Sequence, residues 1–327
     1  MEKLFKNSVW LAPMAGITDK AFRIIAKKFE PAISFTEMVS CEGLFFNNKK
    51  TEEYLEISNQ EGMVGIQIFG HNPTVMQKIT YEKLNGKAKF ININMGCPAP
   101  KIVKNKDGCY LMKEPKLAEE IVKAVVKVSD VPVSVKIRNG WNENLTNAVE
   151  FSKILEESGS TAIIVHGRTR EQFFKGQVDL GIIKKIKENV KIPIIGNGDI
   201  IDEESAENFI KKTKCDAIMI GRASRGNPWI FREINYYLKY KKKLKKPTLT
   251  EKLNISLEHA KFLLKYKGEK RGIREFRKHL FWYLKGIKLN NSLKEKINKM
   301  KVIYEVEEIL FNISNGINNL ENINFYF

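Results

Sequence analysis

The chain lacks several features that would place it in other protein classes. Its four cysteines, at positions 41, 97, 109 and 215, form no Cys-x-x-Cys pair, which argues against a zinc ribbon or a redox disulfide. We therefore expect no metal and a reducing, cytoplasmic setting. No run of eighteen uncharged apolar residues occurs, and residues 1–6 lack a signal-peptide core. No membrane association is expected from this sequence.

A Gly-x-Gly-x-x-Gly pattern after an early strand is also missing, which argues against a dinucleotide-binding Rossmann domain. The first 240 residues instead contain eight apolar runs of strand length, separated by helix-period segments such as 115–129 and 145–158. The runs are 8–13, 34–39, 63–69, 89–95, 132–138, 161–168, 192–198 and 216–221. Eight strand–helix units in this length predict a (β/α)₈ TIM barrel of the α/β class, and a doubly wound open sheet is the alternative.

Aspartate is absent from residues 241–327, which hold 20 Lys and Arg against nine Glu. The net charge is therefore +11 there, and only +7 of the total +18 remains for residues 1–240. A lysine-rich genome-wide bias would raise the charge, but it would not concentrate it in one quarter of the chain. The surplus predicts a polyanionic partner, for which nucleic acid is the usual case.

A lysine run over 239–246, ending at Pro247, predicts a domain boundary. We place a barrel domain at 1–240 and a small all-α helical domain at 241–327. Helices are expected over 250–267, 269–288 and 292–311, because no strand pattern occurs there.

Polar residues stand at the end of every predicted strand. A barrel gathers these ends around one mouth, where barrel enzymes carry their chemistry. Any one of the residues alone fits an ordinary capping or core role equally well, but their recurrence at all eight strands favours an active site. In chain order they are Pro13-Met14-Ala15, Glu37, Gln67, Asn94 with Cys97, Lys136 with Arg138, His166 with Arg168, Asn197-Gly198-Asp199 and Gly221-Arg222.

The glycine loops after the seventh and eighth strands predict a phosphate site built from backbone N–H groups, with Arg222 as a charged contact. Tight turns that need glycine are the alternative. Lys136 would be costly inside a strand unless it lay beside an anion, or unless its side chain reached outward to solvent. His166 fits a contact to phosphate or to a ring system, or a satisfied core position.

Cys97 follows the strand 89–95 and precedes Pro98, so its thiol is predicted at a strand's carboxyl end. A small buried hydrophobe is the alternative reading. A nucleophilic cysteine would need a histidine base nearby. A proton-donating thiol, with an ordinary pKa of about 8.5, needs no such partner.

In their order and spacing, the motifs resemble those of the tRNA-dihydrouridine synthases, most closely the bacterial B-type enzymes. The similarity runs from about residue 8 to 288. Cys109 departs from the small residue usual at its position. The matching segments are 11–19 with Phe22-Arg23, 36–38, 67–70, 94–98, 135–141, 165–170, 196–200, 221–229 and 277–286.

The resemblance implies FMN in the barrel mouth, NADPH as reductant and a uridine of tRNA as substrate. Hydride would reach C6 of the uracil, and Cys97 would be the general acid that protonates C5. A monomer is expected. The implied cofactor-binding residues are Pro13, Met14, Ala15, Gln67, Lys136, His166, Asn197, Gly198, Asp199, Gly221 and Arg222. The implied substrate and tRNA contacts are Asn94, Arg138, Arg168, Arg274, Arg277 and Lys278.

Two other functions stay open at this point. A small-molecule FMN oxidoreductase of dihydroorotate-dehydrogenase type would not need a basic helical domain, and its activity would be insensitive to RNase. A non-catalytic tRNA-binding flavoprotein would tolerate the loss of Cys97.

Overall fold

The structure is a computed structural model and describes residues 5–318. Its strands form one sheet in which every pairing is parallel, in the order β1-β9-β8-β7-β6-β5-β4-β2, with the short β3 on β4. The strands are β1 Ser8–Leu11, β2 Ser34–Phe35, β3 Val39–Ser40, β4 Val64–Phe69, β5 Phe90–Met95, β6 Val133–Arg138, β7 Ala162–His166, β8 Ile194–Asn197 and β9 Ala217–Ile220.

Backbone hydrogen bonds close this sheet into a barrel. Leu11 N–H donates to the Ile33 carbonyl at 2.8 Å, and Ala32 N–H donates to the Val9 carbonyl at 2.9 Å, which joins β1 to the chain entering β2. The predicted strand 34–39 is split into β2 and β3. If these two are counted as one strand, the barrel has eight strands. The predicted barrel is confirmed, and the open sheet is excluded.

Helices cover the outer face of the barrel. Amphipathic spacing explains their packing: the helix Pro115–Val128 buries Ala118, Ile121, Val122 and Val125 on one side. The helix predicted at 145–158 begins later, because residues 140–145 form a tight loop. The helices of this part are α1 Lys20–Lys27, α2 Cys41–Phe45, α3 Lys49–Glu52, α4 Pro73–Ile79, α5 Pro100–Lys104, α6 Pro115–Val128, α7 Ala148–Glu157, α8 Leu180–Asn189, α9 Glu203–Thr213 and α10 Ile230–Tyr240.

Aromatic side chains fill the barrel at the amino ends of its strands. The Trp10 ring lies 5.6 Å from Phe5, 5.9 Å from Phe35 and 6.4 Å from Phe90, measured between ring centroids. Trp10, Phe35 and Phe90 are fully or almost fully buried. This end of the barrel is therefore closed.

The C-terminal part is helical, as predicted, with α11 Leu249–Lys267, α12 Glu269–Tyr283, α13 Asn291–Lys299 and α14 Ile303–Asn318. We call residues 249–318 the helical region. The single helix predicted over 292–311 is wrong, because the chain turns at Met300. The Met300 carbonyl accepts two hydrogen bonds from Arg277, and the Glu305 carboxylate accepts from the amides of Lys301 and Val302. Residues 319–327 of the predicted domain lie outside the described residues.

The helical region packs against the first strand–helix unit of the barrel. Lys267 forms an ion pair with Asp19 at 2.5 Å, and Lys278 donates to the Gly16 carbonyl at 2.5 Å. The Phe22 ring of α1 lies 5.6 Å from His259 and 6.0 Å from His279. The boundary at residue 240 stays a prediction, although α10 ends there. Over residues 5–318, each helix is too short or too polar to cross a membrane.

Candidate active site

Amide side chains form a hydrogen-bonded row across three neighbouring strands inside the barrel. Asn94 Nδ2 donates to Gln67 Oε1 at 2.9 Å, and Gln67 Nε2 donates to Asn92 Oδ1 at 2.6 Å. Asn92 Nδ2 then donates to Ser134 Oγ at 2.9 Å. All four residues are buried. Because each amide is oriented by its neighbour, the row holds Asn94 in a fixed orientation below the mouth.

Asn94 positions the loop that carries Cys97. Its Oδ1 accepts hydrogen bonds from the amides of Gly96, at 3.1 Å, and Cys97, at 2.8 Å. The Arg138 guanidinium donates to the Gly96 carbonyl at 2.9 Å. On the other side, a Cβ at Gly108 would lie 2.9 Å from the Cys97 carbonyl, so the loop is packed closely from both sides. Cys97 is thereby held at the end of β5.

The Cys97 thiol is suited to donating a proton. It is partly buried, and burial raises its pKa above the ordinary value, more than the Ala99 backbone N–H and the charges of Arg138 and Lys136 lower it. The thiol is therefore protonated at neutral pH. The described residues include no histidine hydrogen-bonded to it, as an activated nucleophile would require.

Lys136 is a cation without an anionic partner. It pairs in register with Asn94 across β5 and β6, and it is half-buried. Among residues 5–318, none accepts a hydrogen bond or forms an ion pair with its ammonium group. Burial, assisted by the nearby Arg138 charge, lowers its pKa to about 7. An anionic group placed beside Lys136 would restore its charge, so the mouth is prepared for an anion.

The glycine loop after β8 lies beside His166. Asn197 pairs in register with His166, and a Cβ on Gly198 would lie 3.0 Å from the His166 ring. Gly198 has φ +131, which also favours glycine. His166 is buried, and its pKa lies well below the ordinary value because of desolvation and the surrounding cations. A neutral imidazole therefore faces this loop.

Asp199 joins two arginines at this position. Its carboxylate accepts from Arg168 at 2.9 and 2.5 Å and from Arg222 at 2.9 Å. Arg222 remains exposed, at 45% of its side chain, whereas Arg168 is buried. The space beside the Gly221 backbone is open, since a Cβ there would contact only Ala12 at 3.6 Å and the Met14 sulfur at 3.7 Å. The predicted phosphate-loop residues are thus brought together.

The loop after β1 forms the remaining edge of the mouth. Met14 N–H donates to Thr18 Oγ1 at 2.8 Å, and the Gly16 amide donates to the Glu37 carboxylate. Pro13 and Met14 are partly exposed, and Ala15 is exposed. The sequence placed Glu37 at a strand end but assigned it no role, and the structure shows that it anchors this loop.

Not every predicted contact residue is available to a ligand. Arg138 is buried and donates to the carbonyls of Gly96, Thr169 and Phe173. Arg168 is likewise bound to Asp199 and to backbone carbonyls. Lys278 reaches the mouth, but Arg274 and Arg277 lie outside it in α12, and of these two only Arg274 is exposed.

Sequence reasoning did not single out Phe174. Its ring is 53% exposed and lies 4.7 Å from the Arg222 guanidinium and 5.7 Å from that of Arg138. The His166 ring lies 6.4 Å away. The sequence does contain a signal for it, because the pair Phe173-Phe174 lies in a polar loop after β7. Two aromatic residues in such a loop are not expected to be part of the hydrophobic core, which suggests a role at the surface.

Together these features define a barrel enzyme whose mouth presents a protonated thiol, a half-buried lysine with no anionic partner among the described residues, and two glycine loops beside Arg222. The Dihydrouridine synthase (Dus) family model matches residues 10–318. The chain therefore belongs to the dihydrouridine synthase family.

Curated relatives agree with this assignment. The chain is 42% identical over 279 residues to tRNA-dihydrouridine synthase B of Shewanella oneidensis, covering 85% of this chain and 87% of that protein. It is 40% identical over 293 residues to tRNA-dihydrouridine synthase B of Pasteurella multocida, covering 90% and 88%. A solved structure of a variant of NCR from Zymomonas mobilis matches with a TM-score of 0.51 at 15% identity, over 75% of this chain and 90% of that one, and supports the fold alone.

Proposed function

We propose that this protein reduces a uridine of tRNA to 5,6-dihydrouridine, with FMN as cofactor and NADPH as reductant. The observation that carries the proposal is that one barrel mouth contains both a protonated Cys97 thiol and a lysine, Lys136, that has no anionic partner among the described residues. Membership of the dihydrouridine synthase family supports the reaction class. The names of the B-type relatives support tRNA as the substrate.

The mouth fits FMN in two places. The exposed Arg222 and the glycine loops at Gly198 and Gly221 suit a phosphate, since they offer a charged donor and close backbone approach. Lys136 suits the electron-rich edge of a flavin ring, because no described residue neutralises it. Pro13, Met14, Ala15, Gln67, His166, Asn197 and Asp199 complete the proposed cofactor site. When bound, FMN supplies the hydride for C6 of the uracil.

Cys97 completes the reduction by giving its thiol proton to C5. The raised pKa keeps that proton in place at neutral pH, and a general acid of this kind typically contributes about 10²–10⁴ in rate. Asn94 borders the base and, through the amides of Gly96 and Cys97, fixes where the thiol points. The target base has to leave its stack in the RNA to enter the mouth.

The helical region supplies part of the affinity for tRNA. Its positive charge and its position beside the mouth support this role, and Arg274 is exposed and ion-pairs with no described residue. Arg277 and Lys278 instead hold internal contacts, to Met300 and to Gly16. We therefore assign the predicted phosphate contacts first to Arg274.

The proposal is tested by replacing Cys97 with alanine and measuring dihydrouridine in tRNA. We expect the Cys97→Ala protein to retain flavin and to be reduced by NADPH, while conversion of tRNA falls by about 10²–10⁴-fold. Cys215→Ala is the matched control, because Cys215 is a buried thiol that precedes β9, on the amino-end side of that strand, whereas Cys97 follows the carboxyl end of β5. Normal conversion by Cys97→Ala would refute the assignment of the acid.

The same preparation separates the alternatives. A dihydroorotate-dehydrogenase-type enzyme would oxidise its substrate equally well after RNase treatment. A non-catalytic flavoprotein would bind tRNA without forming dihydrouridine in either variant. A colourless protein that also failed to take up FMN on reconstitution would remove the cofactor proposal.

A further inference from the structure

A tryptophan flanked by two cations stands on the rim of the barrel. The ring of Trp141, in the loop after β6, lies 4.8 Å from the Arg170 guanidinium carbon and 4.9 Å from Lys113 Nζ. Tyr110 meets the same ring edge-on, with centroids 6.3 Å apart and planes at 88°. Trp141, Tyr110 and Arg170 are partly exposed, and Lys113 is exposed. We call these four residues the tryptophan platform.

The backbone fixes the platform in place. Trp141 N–H donates to the Leu145 carbonyl at 2.9 Å, and the Trp141 carbonyl accepts from the Glu171 amide at 3.1 Å. Gly140 has φ +154, and a Cβ there would lie 2.1 Å from the Leu145 carbonyl oxygen, so this turn requires glycine. A ring held this way loses little conformational entropy when it binds another ring.

The platform lies next to the Cys97 loop. Cys109 N–H donates to the Cys97 carbonyl at 3.1 Å, and the Cys109 sulfur lies 3.9 Å from the Gly140 carbonyl oxygen. Tyr110 and Trp141 are the next residues along these two loops. A ligand stacked on Trp141 would therefore lie beside whatever occupies the site at Cys97.

The platform's cations have no acidic partner in the part of the chain that the structure describes. Neither Lys113 nor Arg170 forms an ion pair there, and Arg170 Nε is buried without a hydrogen-bond partner. Helix α5, which follows the Cys97 loop, and the turn after it add three exposed lysines that are likewise unpaired with any described carboxylate: Lys101, Lys104 and Lys106. This side of the rim therefore carries a local surplus of positive charge, which attracts anions.

The platform also faces the helical region across the mouth. The helical region docks on the loop after β1, through Asp19 and Gly16. Trp141 follows β6, and β1 and β6 stand on opposite sides of the closed ring of strands. A polyanion that contacted both basic surfaces would pass directly over the mouth.

Resting on the proposed function, we propose that Trp141 is the stacking platform for a nucleobase next to the uridine that enters the mouth. Extruding one base from an RNA removes a stacking partner from its neighbour, and the accessible part of a tryptophan ring can replace that partner. Lys113 and Arg170 would meet the flanking phosphates. The combination of a partly exposed ring with cations that form no ion pair is the chemistry of single-stranded nucleic-acid binding.

The test is tRNA binding by the flavin-loaded protein carrying Trp141→Leu or Trp141→Phe. We expect Trp141→Leu to weaken binding by about 10-fold with an unchanged salt slope, because one uncharged stack is lost. Trp141→Phe keeps a ring and should retain most of the affinity. Lys113→Ala should instead flatten the log–log salt dependence by about 0.7–0.9.

Tyr81→Leu is the matched control. Tyr81 is 68% exposed but lies in the turn that leads to the amino end of β5, at the far end of the barrel. It should bind tRNA like the parent. Quenching of tryptophan emission by tRNA provides a second readout, and we expect Trp141→Phe to remove most of it.

Three results would overturn the inference: parental affinity in Trp141→Leu, parental quenching in Trp141→Phe, or a loss of affinity that Tyr81→Leu shares. Loss of flavin or early melting in Trp141→Leu, with quenching unchanged in Trp141→Phe, would assign the ring to the fold. Failure of the parent protein to bind tRNA at all would instead refute the proposed function.

Discussion

Acid should loosen the contact between the helical region and the barrel, because two uncharged histidines are buried there. His259 and His279 lie 4.5 Å apart between ring centroids, both fully buried, against Phe22. Burial lowers the pKa of His259 to about 4 and that of His279 well below its ordinary value. His259 Nε2 and both ring nitrogens of His279 lack hydrogen-bond partners among the described residues.

The direction of the change in stability with pH follows from proton binding. Below about pH 6.5 the unfolded chain takes up a proton at His259, whereas the folded protein resists it until about pH 4. Stability is therefore lost as the pH falls through this window. One pKa unit corresponds to about 1.4 kcal/mol, so His259 alone should remove about 2 kcal/mol between pH 7 and pH 5.

Equilibrium urea unfolding of the parent and of His259→Gln at about pH 7, 6 and 5 measures this loss. Glutamine does not titrate, and its amide can still pair with Tyr283, whose hydroxyl lies 3.3 Å from His259 Nδ1. We expect the variant's free energy of unfolding to fall by about 2 kcal/mol less than the parent's over this range, whatever its value at pH 7. An equal pH slope in both proteins would refute the reasoning.

Three further predictions concern the site and the helical region. Asn94→Ala should slow uridine reduction while flavin stays bound, because the amides of Gly96 and Cys97 lose their common acceptor; single-turnover kinetics measure this. Lys136→Met should stabilise the flavin-free protein by on the order of 4 kcal/mol near pH 7 and weaken flavin binding, since burial opposes the charge of Lys136. Arg274→Ala should reduce the salt slope of tRNA binding by about 0.7–0.9, whereas Arg277→Ala should cost about 1–3 kcal/mol of stability.

Each of these has an outcome that contradicts it. Unchanged reduction by Asn94→Ala would mean that the Cys97 loop is positioned by Arg138 alone. A flavin-free Lys136→Met protein that melted earlier than the parent would show that Lys136 has a partner. Equal salt slopes in Arg274→Ala and the parent would move the phosphate contacts elsewhere.

The sequence by itself was sufficient to predict the barrel. Its apolar runs and helical spacings are local patterns, and eight such units have few ways to bury both faces of a parallel sheet. The polar residues at strand ends followed from the same argument, because a closed barrel brings all carboxyl ends together. Cys97 and Lys136 could therefore be assigned to one site before any contact was known.

The tertiary structure alone decided which charges are exposed. Arg138, Arg168 and Arg277 look like nucleic-acid contacts in the sequence, but each is bound to the protein itself. Charge counts do not record partners that lie far away along the chain, as Arg277 and Met300 do. The sequence also did not reveal that the helix is interrupted at Met300, because no Gly or Pro occurs there.

The tryptophan platform also required the fold. Trp141, Lys113 and Arg170 come from three separate loops, and no local pattern relates their spacing. They meet because parallel strands deliver successive loops to neighbouring points on one rim. Local periodicity thus determined the elements and the end of the barrel where the candidate site lies, whereas long-range packing determined which side chains remain available to a ligand.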